Sequence, residues 1–362
     1  MGLIVISFDG MTDKEFEKMA QDRDKYPNIA DFKASSRYQG DVYTMFVSNT
    51  YPIHTSVATG KHPSEHGVIS NLLGHEGGED IWAQEAKIVK TKTIFDAANE
   101  KGLKVGAVAW PVTCGAKIKW NLPEVHIRKG QNRLIEHLCH GSVLFQLDAL
   151  LCHRKKLAGI NQPQLDDFLT SVSVDLLRRK NPDLTLIHLL AYDFICHKAG
   201  ICDSLDTARA AMDANLGRII AAAPADTTII IFSDHGHLNI TDNVNLQEIY
   251  GDDLYEQCGG SAFFVRPVDG LENQPWFGRF LTEREMDVSG YAAHAAVGIA
   301  AKAGCSFGRG QYKGNHGYPR DYEDYRVFFA VKNGKNDPIL PFDDIRNVTA
   351  LIAHELDLDM GL

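Results

Sequence analysis

Four short runs of apolar, largely β-branched residues, Leu3–Phe8, Val105–Trp110, Leu184–Leu190 and Thr228–Phe232, recur along the chain with amphipathic stretches between them. Runs that are apolar at nearly every position, not at every second one, suit strands buried on both faces. Such strands separated by helical patterns build an α/β fold with a mostly parallel central sheet and helices on both faces. Helices are expected at Lys92–Lys101, closed by Gly102, at Gln164–Arg179, ending before Pro182, and at Leu205–Ala222. A further helix is expected over Arg133–Leu151.

The polar residues that follow these runs carry the functional signal. Asp9 follows the first run, Asp193 comes just after the third, and Asp234-His235 just after the fourth. Ligands of open α/β sheets bind beyond the carboxyl ends of the strands, so the topology gathers these side chains at one edge. Asp193 and His197 are four apart and share one face of a helical turn. Asp234 and His235 would point to opposite sides of an extended strand, but a turn at Gly236 lets both face one centre. His316 lies between Gly314 and Gly317, where glycine permits a tight loop.

Thr50 opens a helix with Pro52 in its first turn and Gly60 closing it. A helix N-terminus offers free N–H groups and the positive end of a dipole to a phosphoryl oxygen. Each element has a plainer reading: a surface helix pair, a turn aspartate, a solvent histidine and, for Thr50, an N-cap. Taken together, hydroxyl, carboxylates and imidazoles make two mixed N/O sites for divalent metal ions, zinc first and manganese second.

The 362 residues, 44% of them hydrophobic, suffice for one large core and an inserted lobe. From 237 to 312 the helix–strand rhythm is broken by Gly259-Gly260, Pro267, Gly270, Pro275 and Gly278, and this span is read as the lobe. Residues 1–236 and 313–362 form the core, which resumes with strand Tyr325–Val331 and a helix near Asp343–Glu355. A net charge of −10 argues against a nucleic-acid polymer or an anionic membrane as partner. The first apolar run is too short to span a bilayer and lacks the marks of a signal peptide. Seven cysteines without framework spacing point to reduced thiols and a cytoplasmic protein. Cys139-His140 and Cys152-His153 fall near the ends of one expected helix, and their spacing matches no zinc finger.

In order, Asp9-Gly10, Asn49-Thr50-Tyr51-Pro52-x-His54, Thr59-Gly60-x-x-Pro63-x-x-His66-Gly67-Val68, Asn71, Trp110-Pro111, Asp193-x-x-x-His197, Asp234-His235-Gly236 and Gly314-x-His316-Gly317-Tyr318 resemble the alkaline phosphatase superfamily. The type I phosphodiesterase/nucleotide pyrophosphatase branch is the most similar. The resemblance implies that Asp193, His197 and His316 hold one zinc, and that Asp234, His235, Asp9 and the Thr50 hydroxyl hold the other. Thr50 would attack phosphorus and pass through a phosphothreonine, with Asn71 and a nearby backbone N–H on the phosphoryl oxygens. Tyr51 and His188 stand where nucleotide-specific members stack the base, His188 replacing a tyrosine. His237 replaces the hydrophobic residue common after Asp-His-Gly, and Pro319 the aspartate usual after His-Gly-Tyr. The implied activity is hydrolysis of a small phosphorylated substrate, a phosphodiester first. Phosphonate hydrolysis, favoured by lysines such as Lys61, Lys117 or Lys119, phosphomonoester hydrolysis with Arg128 or Arg309 as clamp, and a metal-binding scaffold without turnover are the alternatives.

Overall fold

The computed structural model describes residues 2–157, 161–322, 325–335 and 344–361. Its central sheet has seven strands in the order Arg37–Val42, Val327–Lys332, Thr228–Ser233, Leu3–Phe8, Leu184–Leu189, Val105–Val108 and Trp120–Leu122. The last five pair in parallel, while Val327–Lys332 runs antiparallel to both of its neighbours.

Both faces of the sheet are covered, which is why the central strands are apolar throughout. Leu3 and Val5 pack on one side with Ile53, Val57, Ile94 and Val348. Ile4, Ile6 and Phe8 pack on the other with Phe16, Met212 and Leu216. Successive side chains of a strand alternate between faces, so each finds a separate apolar cluster. Burying a Leu, Ile or Phe side chain contributes about 1.5–3 kcal/mol, which makes this two-sided core the main stabilising element.

Several expected elements differ in extent, helix Ile94–Glu100 and strand Val327–Lys332 by no more than two residues at an end. The strand begun at Val105 ends at Val108, because Ala109 takes a φ of 54° and turns the chain out of the sheet. The helix expected over Arg133–Leu151 is two helices, Arg133–His140 and Val143–His153. At the break, a Cβ on Gly141 would lie 2.6 Å from the Asn121 carbonyl oxygen, so the chain must pass there without a side chain. The C-terminal helix is Asn347–Leu356; residue 343, where the sequence places its start, lies outside the described residues.

Within 237–312 lies a separate four-stranded antiparallel sheet, Leu254–Cys258, Ser261–Phe264, Val297–Ala301 and Phe277–Phe280 in that order. The apolar cluster beneath it also takes in Tyr318 and Tyr325. Leu238–Asn239 pairs with Gly314–Asn315, tying the two ends of this span together beside His316. Among the described residues no helix is long and apolar enough to cross a membrane.

Candidate active site

Register decides where the acidic residues emerge. Phe8 pairs with both Leu189 and Ser233, so the three central strands end at one level. Asp9 and Asp234 are the next residues of two of these strands, and Asp193 follows in the first turn of helix Ala191–Ala199. That helix places His197 one turn further on, with its Nε2 3.3 Å from Asp193 Oδ1. Its N-terminus has no capping side chain of its own. Instead the buried Asp166 accepts from the N–H groups of Leu190 at 3.2 Å and Ala191 at 2.9 Å.

Thr50 is the first residue of helix Thr50–Thr59, and Asn49 takes the N-cap position. Asn49 makes no capping bond, because its Oδ1 accepts from His316 Nδ1 at 3.1 Å. The expected N-cap alternative for Thr50 therefore falls one residue off, and its hydroxyl is directed elsewhere. Thr50 Oγ1 lies 3.3 Å from His235 Nε2. The same nitrogen is 3.3 Å from Asp9 Oδ1 and 3.4 Å from Asp234 Oδ2.

The imidazoles are oriented from behind. His197 Nδ1 faces the Gly314 carbonyl at 2.9 Å, His316 Nδ1 the Ser48 carbonyl at 3.1 Å, and His235 Nδ1 the Gly236 carbonyl at 3.3 Å. A carbonyl can only accept, so each Nδ1 carries the proton and each Nε2 lone pair is left for a ligand. Donors about 2.0–2.1 Å from one tetrahedral ion sit about 3.3 Å apart, which matches these Nε2–carboxylate separations. Asp9 Oδ1 and Asp234 Oδ2 are moreover buried and have no hydrogen-bond partner among the described residues. Oxygens left so are costly unless a cation meets them. The donor set fits divalent metal ions.

Among the described residues three groups of side chains could each hold an ion: Asp9, Asp234 and His235; Asp193, His197 and His237; and Asp193, His235 and His316. The first matches the expected set, with Thr50 beside it. The second has His237, which sequence reading named only as a departure beside the ligands, in place of the expected His316; His316 falls instead in the third group with Asp193 and His235, its Nε2 3.9 Å from Asp193 Oδ1. His237 Nε2 is 2.6 Å from Asp193 Oδ1.

Electrostatics follow the same division. Burial and the neighbouring Asp234 and Asp193 carboxylates push Asp9 well above its usual range. For Asp193 burial acts upward, but His197 and His237 outweigh it and hold the carboxyl well below the usual range. Asp234 is likewise lowered, by His235, His54 and His188 against burial. Burial drives His54 down to about 3 and, aided by His235, drives His316 well below the usual imidazole range. These two rings are neutral at pH 7, as a ligand or a purely structural imidazole must be.

Asn71 accepts from the Tyr51 N–H at 2.8 Å, which sets it beside the residue after Thr50. Tyr51 and His188, expected to bind substrate, are placed otherwise. Tyr51 is 1% exposed, among Val68, Ala83 and Val112, with its ring 5.5 Å from that of Trp82. His188 is fully buried under the sheet edge, its Nε2 3.1 Å from Asp9 Oδ2 and its ring 4.4 Å from His54. Neither ring offers a free face to a base, because both fill core positions.

A half-buried aromatic surface nearby is one the sequence reading missed: Trp82 and His126 stack at 3.6 Å and 4°. They line a cavity of about 420 Å³ together with Glu79, Glu85 and Arg128. No motif announces it, since the two rings come from segments 44 residues apart. Arg128 pairs there with Glu76, and Arg309 contacts His75. Of the two Cys-His pairs, His140 bonds Glu85 and His153 bonds Asp175, each at 2.9 Å, and neither pair joins a metal-ligand group among the described residues.

Known proteins give this arrangement a context. The chain is 27% identical over 112 residues to ectonucleotide pyrophosphatase/phosphodiesterase family member 1 of Mus musculus. It is 25% identical over 113 residues to bis(5'-adenosyl)-triphosphatase enpp4 of Xenopus laevis. These matches span 28% and 30% of this chain and only 12% and 24% of those proteins. Among solved structures, murine ectonucleotide pyrophosphatase / phosphodiesterase 5, as an inactive form in complex with AMP, superposes with a TM-score of 0.68 at 16% identity. The superposition covers 99% of this chain and 96% of that one. Phosphonoacetate hydrolase from Sinorhizobium meliloti 1021, in complex with phosphonoacetate, gives 0.71 at 16% identity, covering 98% and 96%. The sequence model of type I phosphodiesterase / nucleotide pyrophosphatase matches residues 3–319, a span that includes Asp9, Thr50, Asp193, His197, Asp234, His235 and His316, and the chain belongs to that family.

Proposed function

We propose that this protein hydrolyses small phosphodiesters, nucleotide diesters and pyrophosphates among them, through a phosphothreonine on Thr50 with two divalent metal ions. The observation that carries the reading is the position of Thr50 Oγ1, 3.3 Å from the nitrogen that Asp9 and Asp234 also surround. A hydroxyl there lies within the ligand sphere of the Asp9, Asp234 and His235 group. The second ion would be held by Asp193, His197 and His316. When bound, the two ions lower the pKa of the threonine hydroxyl and stabilise the charge of the departing oxygen.

The protein's own groups do the rest. Thr50 Oγ attacks phosphorus, the bond to the leaving oxygen breaks, and water then cleaves the phosphothreonine to release a phosphomonoester and restore Thr50. Asn71 spends its carbonyl oxygen on the Tyr51 N–H, so its NH2 is the end that donates to a non-bridging phosphoryl oxygen. The first turn of helix Thr50–Thr59 adds backbone N–H groups and its dipole. Residues 237–312 serve as the lobe that shapes the substrate pocket. Zinc suits these mixed His/Asp ligands and manganese is the second choice. The seven free cysteines fit work in a reducing, cytoplasmic compartment.

Nucleotide chemistry is supported by the family and by the related fold that carries AMP. Phosphonate hydrolysis is the second reading, because a phosphonoacetate hydrolase matches this fold equally well. Initial rates with bis-p-nitrophenyl phosphate, p-nitrophenyl phosphate and phosphonoacetate, each with zinc or manganese added, test the two. Diester turnover well above the others is expected; turnover of phosphonoacetate alone would replace the first reading with the second.

A further inference from the structure

His237 follows the ligand pair Asp234-His235 after one glycine and is 1% exposed, closed in among the imidazoles of the site. Its ring lies 4.9 Å from that of His197, 5.4 Å from His316 and 5.7 Å from His235. The space it occupies exists only because residue 10 is glycine. A Cβ there would come within 2.7 Å of His237 Cδ2 and 2.8 Å of its Nε2.

A fourth imidazole in a metal site can be a ligand or can hold a ligand, and distance separates the two. Donor pairs of the site that could share an ion are spaced 3.3–3.9 Å apart: His197 Nε2 and Asp193 Oδ1 at 3.3 Å, His235 Nε2 with Asp9 Oδ1 at 3.3 Å and with Asp234 Oδ2 at 3.4 Å, and His316 Nε2 and Asp193 Oδ1 at 3.9 Å. His237 Nε2 and Asp193 Oδ1 are 2.6 Å apart, too close for two donors on one ion and the length of a strong hydrogen bond to a carboxylate. An ionised carboxylate only accepts, so the Nε2 of His237 carries the proton. The other imidazoles of the site turn Nδ1 to a backbone carbonyl, whereas Nδ1 of His237 is buried with no hydrogen-bond partner among the described residues. A metal-bound His237 would leave an N–H unpaired at Nδ1; a His237 that donates through Nε2 leaves only a lone pair there.

We propose that His237 is a positioning residue for one metal ion alone: its Nε2–H donates to Asp193 Oδ1 and fixes that carboxylate for the ion shared with His197 and His316. The inference rests on the two-metal reading of the site. Asp193 springs from the first turn of a helix, and its own-helix neighbour His197 is 3.3 Å away, beyond a short hydrogen bond. The 2.6 Å contact across 44 residues is therefore the one that sets the carboxylate rotamer. The ion at Asp9, Asp234 and His235 has no such dependence, since Asp234 Oδ1 is held by the Gly10 and His235 N–H groups at 3.0 and 2.9 Å.

The test uses full-length wild type, His237→Leu and His237→Gln, each freed of metal and titrated with cobalt(II) against a chelator. Stoichiometry, two dissociation constants and the visible spectrum are recorded, together with the melting temperature of each metal-free form. Wild type should bind two ions. His237→Leu should weaken one of them about 10–100-fold, as loss of a ligand's hydrogen-bond partner does, and leave the other within about threefold. His237→Gln, which keeps an N–H donor, should recover most of the loss, and the coordination spectrum should show no imidazole removed. If His237→Leu does not fold, His237→Ala against His237→Gln makes the same comparison. Equal affinities in wild type and leucine variant would overturn the proposal, as would an X-ray absorption spectrum that loses one imidazole from the metal in His237→Leu. A folded wild type that takes up no metal would overturn the two-metal reading itself, before any variant is compared.

Discussion

Thr50 Oγ1 and His235 Nε2 stand 3.3 Å apart across 185 residues of sequence, one at the first position of a helix and the other just past the end of a central strand. That contact places a hydroxyl within a cluster of carboxylates and imidazoles, where the proposed nucleophile has to stand. Thr50→Ala should lower turnover of bis-p-nitrophenyl phosphate by at least about 10³-fold, since removing a nucleophile costs at least that much. Metal content by elemental analysis should stay at two ions per chain, and a variant that keeps activity would exclude the phosphothreonine route.

Metal removal should act on stability as well as on rate. Buried carboxylates gathered without a cation repel one another, so an ion bound only by the folded state adds RT ln(1 + [L]/Kd), about 2.7 kcal/mol at a hundredfold excess over Kd. Dialysis against a chelator should abolish activity and lower the melting temperature, and added zinc should restore both. An unchanged melting temperature would show that the cluster holds no ion.

His188 offers a direct contrast between substrate binding and support of Asp9. With no exposed surface, and with its Nε2 3.1 Å from Asp9 Oδ2 without forming a hydrogen bond, it is expected to act by packing against Asp9 and not by touching substrate. Steady-state kinetics of His188→Gln with a dinucleotide substrate should show kcat falling about tenfold or more while KM changes by less than about threefold. A rise in KM at constant kcat would restore His188 to the substrate surface.

Asp166 should matter more than its position in sequence suggests. It accepts from two N–H groups at the start of the helix that carries Asp193 and His197. Asp166→Ala removes the acceptor of both donors and leaves the buried Ala191 N–H unpaired, at about 1–3 kcal/mol. Urea midpoints should fall accordingly, and the affinity for one metal ion should weaken with them.

Glu256 gives a pH signature away from the metals. Burial pushes its carboxyl up to about 7, against hydrogen bonds from the Ser70 hydroxyl and, at 2.7 Å, from Tyr291. The folded state keeps a proton that the unfolded chain loses near pH 4.5, so this group's contribution to stability is intact below pH 4.5 and lost as pH rises toward 7. Glu256→Gln removes the titration. Its melting temperature relative to wild type should therefore climb by roughly 2–5 °C between pH 5 and pH 8. A constant difference across that range would show that Glu256 is ionised throughout.

Much of this architecture can be read from residue order. Continuous apolar runs specify doubly covered strands, and Asp9, Asp193 and Asp234-His235 were legible as a site because they follow those runs directly. The break at Gly141 was not legible, since it depends on the approach of Asn121, and neither was the turn at Ala109 that shortens its strand. His188 and Tyr51 show the same limit. A strand buried on both faces carries no polar alternation, so nothing in its sequence says that position 188 points under Asp9.

The sequence by itself determined the fold class, the family and the chemical types of the donors, because these depend on periodicity and on motif order along the chain. Tertiary structure decided the pairings: Asn49 with His316 in place of a helix cap, Asp166 with the helix of Asp193, and His237 with Asp193 at 2.6 Å. Such contacts join residues far apart in sequence, and hydrogen bonding depends on ångström-scale distance and direction. Only packing the helices and strands against one another sets those.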